Sequence, residues 1–99
     1  MRGEVYKYTF ESSVDLDEIE QSLCLAIVSV ESLHGETQTR LDAGHAFSAD
    51  RRICVIDACT DVGRSLNRLF LGYVRHEFGE DAFKVSRVDS TALRLAASA

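Results

Sequence analysis

The run Ile53-Cys54-Val55-Ile56 constrains the fold more than any other stretch of the chain. Read as a strand, its side chains alternate between two faces, and both faces are apolar. The strand Arg52 to Ala58 is therefore expected at the centre of a sheet, covered on both sides. The rest of the chain must supply its neighbours and its covers.

Glu4 to Glu11 sets Tyr6, Tyr8 and Phe10 against Val5, Lys7 and Thr9, the alternation of a half-buried strand. Asp15 followed by Glu18 has the spacing of a helix cap, and Leu16, Ile19, Leu23, Ala26, Ile27, Val30 and Leu33 then recur on one face up to Gly35. A first helix is predicted over 14–34. Cys24, Leu25 and Val28 widen its apolar stripe beyond what one sheet face covers, which points to a second packing partner. From Thr37 the period returns to two, with Leu41, Ala43, His45 and Phe47 alternating against Arg40, Asp42, Gly44 and Ala46, and a second strand is expected there. After the central third strand, Thr60 or Asp61 caps a second helix bearing Val62, Leu66, Leu69, Phe70, Tyr73 and Val74 and ending at Gly79. Ala82 to Val88 reads as a fourth strand. Residues 90–99 read as a loose tail, ordered at most through Leu93 and Leu95.

The order β-α-β-β-α-β with right-handed crossovers predicts an α+β chain: the ferredoxin-like sandwich, a four-stranded antiparallel sheet of order 4-1-3-2 with two helices on one face. A chain of 99 residues accommodates this as one domain over 1–89, and without proline it has no stiff linker. Helices on one face leave one apolar row of the third strand bare. Val5, Ala46 and either Val55 or Ile56 form the expected exposed patch, and a second copy is its cheapest cover, the tail being the competitor.

Charge narrows the partners. Residues 1–50 carry 3 basic and 10 acidic side chains and residues 51–99 carry 8 and 6, giving a net charge of -5 that disfavours a phosphate backbone. The third strand also lacks the stacking aromatics with which a sheet of this topology binds RNA. The three cysteines are odd in number and have no diagnostic spacing, which argues for thiols, a reducing cytoplasmic address, and neither disulfide nor metal. No apolar run is long enough to span a membrane.

Candidate chemistry gathers at Asp57 to Arg64. Cys59 precedes a helix N-terminus, where backbone N–H groups lower a thiol pKa, but Asp57 and Asp61 oppose that. Only Thr60 to Gly63 separate Cys59 from Arg64, one residue fewer than a cysteine-centred phosphate loop uses. His45, sharing a row with Leu41, Ala43 and Phe47, is expected to be partly buried at the sheet rim. A small-molecule or thiol-dependent site of His45, Cys59 and Arg64 is thus one reading. Arg64, Arg68 and Arg75 form a basic stripe suited either to the acids of the first helix or to an acidic partner. The reading favoured by the sequence is a binding and assembly module without cofactor or intrinsic catalysis, dimerising through its sheet face.

Overall fold

The computed structural model describes residues 4–89 and 91. The expected tail, with Leu93 and Leu95, lies outside the described residues apart from Thr91. The element order is β1 (Val5–Phe10), α1 (Leu16–His34), α2 (Glu36–Asp42), β2 (His45–Ser48), β3 (Ile53–Asp57), α3 (Asp61–Phe78), a 3-10 turn (Glu80–Ala82) and β4 (Phe83–Val88). The chain is α+β with a four-stranded antiparallel sheet of order β2-β3-β1-β4.

Local chemistry explains the helix ends. The Asp15 carboxylate accepts from the Asp17 N–H at 2.9 Å and starts α1, and the Thr60 hydroxyl accepts from the Gly63 N–H at 2.9 Å and starts α3. Both helices stop at glycines with positive φ, 89° at Gly35 and 86° at Gly79, a backbone region closed to most side chains.

Among the described residues three α-helices stand where two were expected. Residues 36–42 coil instead of extending because their polar groups pair at helical spacing. Arg40 bridges Glu36 at 3.1 Å, Gln38 reaches Asp42, and the buried Thr39 hydroxyl donates to the Gly35 carbonyl at 2.8 Å. These local pairs outweigh a weak alternation, so β2 begins only at His45 and Leu41 is left 74% exposed on α2.

The sheet has two unlike faces. Tyr8, Phe10, Cys54, Ile56 and Phe83 point from the inner face into one cluster with Ile19, Leu23, Ala26 and Val30 of α1 and Val62, Leu66, Phe70 and Val74 of α3. Tyr8 meets Phe70 edge-on with centroids 4.9 Å apart, and its hydroxyl donates to Asn67 Oδ1 at 2.7 Å, so the buried phenol keeps a partner. On the outer face Val5, Ala46 and Val55 form a separate cluster joined by Ile53 and Val88. Ile56 therefore belongs to the inner row, which removes it from the expected outer interface. The outer row is also not bare: Val5 and Val55 are 0% exposed.

One residue ties the strand ends together. Arg52 has φ 57°, and its guanidinium donates to the carbonyls of Phe10 (3.4 Å), Glu11 (2.5 Å) and Val14 (2.6 Å). It thereby clamps the loop entering α1 onto the turn before β3.

Candidate functional site at the β3 to α3 junction

The sheet and α3 bring the expected site residues to one end of β3. β3 finishes at Asp57, and the Ala58 N–H then donates to the Glu4 carbonyl at 2.7 Å, extending the pairing with β1. The chain turns because Asp57 Oδ1 accepts from the Cys59 N–H at 2.9 Å, after which Thr60 caps α3. Gly63 makes the tight turn possible: a Cβ there would collide with the Asp57 carbonyl oxygen. The first turn of α3 thus rests directly on the end of β3, with no room for a side chain between them.

Cys59 is exposed and its thiol pKa is raised, first by its hydrogen bond to the Asp57 carboxylate. The Glu4 N–H donates to Cys59 Sγ at 3.2 Å and acts the other way without prevailing. A thiol held protonated is a poor nucleophile near neutrality. The N–H groups that a thiolate would use are engaged, since those of Gly63 and Arg64 both bond to Thr60. Cys54 is buried in the inner cluster, and burial pushes its thiol up to about 12.

Arg64 lies across the same corner, with Nη1 donating to the Ala58 and Cys59 carbonyls at 3.4 and 3.5 Å while Nη2 pairs with Asp61. Its charge is turned to backbone and to its own helix. His45 is exposed rather than buried, and its Nδ1–H donates to the Ala43 carbonyl at 3.1 Å. The shortened β2 causes this, because His45 becomes the first residue of the edge strand rather than its middle. It pairs with Ile56 and so stands at the same end of the sheet as Cys59.

The basic stripe of α3 is satisfied locally: Arg64 by Asp61, and Arg75 by Glu80 at 3.8 Å, while Arg68 is exposed. The acids of α1 are not among these partners. His34 bonds Ser65 Oγ at 3.1 Å through Nε2, tying the end of α1 to α3. Among the described residues no three His, Cys, Asp or Glu side chains converge as a metal cluster, and no helix is long and apolar enough to cross a membrane.

The apolar surface foreshadowed by Cys24, Leu25 and Val28 is open. Leu25 is 54% and Val28 56% exposed on the side of α1 away from Ile19, Leu23, Ala26 and Val30, with Cys24 exposed beside them. Asp15, Glu18, Gln21 and Glu77 line an acidic groove next to Leu25. Composition had given this patch away as apolar positions in excess of one helical stripe; the roles of Gly63 and Glu4 left no comparable trace, since both act through the backbone. No family model matches this chain, and no curated protein and no solved structure matches it.

Proposed function

We propose that the protein is a small binding and assembly module of ferredoxin-like arrangement that pairs with a second copy of itself in a reducing compartment. Read from the β4 edge, the sheet order is 4-1-3-2, which supports the arrangement. The three free thiols support the compartment.

The assembly reading is carried by Leu25 and Val28, two large apolar side chains one turn apart and more than half exposed. Single exposed apolar residues are ordinary, whereas a contiguous pair on one helix face gains on being covered, about 1.5 kcal/mol or more for each side chain fully buried. A two-fold axis through this point would lay one α1 across another in antiparallel fashion. Asp17, Glu18 and Glu20 all belong to the first part of α1, so antiparallel pairing carries the two acidic ends apart while the apolar centres meet.

The outer sheet face is a second reading, favoured by the apolar cluster of Val5, Ala46 and Val55. It requires a second copy to displace whatever already covers Val5 and Val55. Thiol chemistry at Cys59 has less support, because the shift of its pKa opposes activation.

Native mass spectrometry of the full chain, with L25D/V28D and V55D variants, separates these readings. A dimer that becomes a folded monomer in L25D/V28D supports the α1 contact, and one that dissociates only in V55D moves the contact to the sheet. A wild-type protein that stays monomeric at high concentration ends the self-association reading.

A further inference from the structure

We propose that the free edge of β4 accepts an extended acidic segment of a partner protein as a fifth strand, with an apolar side chain of that segment seated between Leu71, Phe83 and Val85. This inference is independent of the α1 contact. The sheet order leaves β2 and β4 at the edges, and among the described residues β4 pairs with β1 on one side and with no strand on the other. Every second residue of an edge strand aims its N–H and C=O away from the sheet, which makes such an edge a template for another strand. The two edges differ. β2 has four residues, of which Ala46 and Ser48 are buried. β4 has six, and Lys84, Val85, Ser86 and Arg87 are all exposed.

A groove runs beside this edge because the helical layer ends over β1. Tyr8 and Val85 stand opposite one another on the inner face, yet Tyr8 is 0% and Val85 39% exposed. Leu71 and Arg75 of α3 and Glu80 of the following turn line the open space next to Phe83 and Val85. A side chain reaching in from a fifth strand would rest on Leu71, Phe83 and Val85 and give Val85 the cover that α3 does not supply.

Charge selects the occupant. The chain as a whole stands at -5, but β4 carries Lys84 and Arg87 and no acid. Lys84 lies opposite Thr9 and Arg87 opposite Tyr6, so one cation projects from each face of the sheet. Arg68, Leu71 and Arg75 follow at steps of three and four along α3, which sets the exposed Arg68 on the same stripe as the two residues lining the groove. The acids at this edge are Glu80 and Asp81, both in the turn before β4. Glu80 meets Arg75 at 3.8 Å with both side chains more than half exposed, and so long and open a pair yields to a better placed carboxylate. Two copies of β4 meeting edge to edge would line up their four cations along one seam, which opposes a second copy. A strand bearing carboxylates turns the same charges into attraction.

The test is an NMR titration of the isotope-labelled full chain with a capped peptide of about seven residues that alternates valine with aspartate or glutamate. The amide signals of Phe83 to Val88 should shift and saturate, and added salt should weaken the binding several-fold. The same peptide with lysine in place of the acids should bind about tenfold more weakly or not at all, and so should the acidic peptide to the variant K84E/R87E, whose changes are both at exposed positions and should leave the far-ultraviolet circular dichroism as in wild type. Absence of a saturable shift at β4, shifts confined to another surface, or equal binding of the lysine peptide would each overturn the proposal. Broadening of the β4 signals that grows with protein concentration alone would assign the edge to a second copy and overturn it as well. The variant L25D/V28D should bind the acidic peptide as wild type does, so this proposal and the α1 contact fail separately.

Discussion

The two faces of the sheet bury their residues by different means. On the inner face large rings interlock with two helices: Tyr8 and Phe10 both meet Phe70 of α3 and Phe83 of β4, with centroid distances of 4.9 to 6.5 Å for these contacts. On the outer face three small side chains, Val5, Ala46 and Val55, reach comparable burial without any helix from α1 to α3. The difference teaches that burial alone does not mark the core. The inner face is held by interlocking rings, and its loss is felt through cavities; the outer face buries small side chains that sit beside Ile53 and Val88.

Truncation at the centre of the inner face should cost most. Phe70→Ala is expected to lose about 4 kcal/mol in urea denaturation, because α3 cannot collapse into the gap left between Tyr8 and Phe10. Gly63→Ala should follow at about 3 kcal/mol, since the new methyl meets the rigid backbone of Asp57 and pushes α3 away from β3. On the outer face Val55→Ala gives the sharpest comparison. A covered valine should cost about 2 kcal/mol and an uncovered one under about 0.5 kcal/mol, so this one measurement tells whether the faces are equivalent. Arg52→Ala should cost about 1.5 kcal/mol by leaving three carbonyls without their donor.

The last prediction concerns pH. The Cys54 thiol titrates near 12 when folded, so its contribution is complete below the ordinary thiol range, about 8.5 to 9, and declines as pH rises from there toward 12. Burial raises Tyr8 as well and adds to the decline above about 10. Cys54→Val should flatten the alkaline arm of a plot of urea midpoint against pH. An unchanged slope would show that Cys54 is not buried as thiol in the inner face.

Much of the scaffold was legible from period and punctuation. β1, β3 and α3 announce themselves through alternation, an apolar run and the Thr60 and Gly79 caps, because each signal is local and strong. The segment 36–42 was misread because Leu41, Ala43 and Phe47 alternate by chance while the decisive i to i+4 pairs are polar. His45 followed that error from a buried row to an exposed end. For Ile56 and Val55 the pattern showed two apolar rows but not which row meets the helices. Register decides that: Tyr8 opposes Cys54 and Tyr6 opposes Ile56, aligning both with the aromatic row of β1. At the candidate site, the opposition of Asp57 to the Cys59 thiol could be anticipated from proximity alone. The Arg52 clamp could not, since its partners are backbone carbonyls that no side-chain pattern encodes.

The position of β1 bears on how the chain is made. β1 leaves the ribosome before β2, β3 and β4, yet it sits between β3 and β4, and its second hydrogen-bonding edge waits for Phe83–Val88. Until those residues emerge, a nascent chain with β1, β2 and β3 already paired presents an open strand edge flanked by Tyr8 and Phe10, the kind of template that invites a wrong partner. Translation pausing after Val88 has cleared the exit tunnel should be harmless, whereas pausing just before Phe83 should raise aggregation.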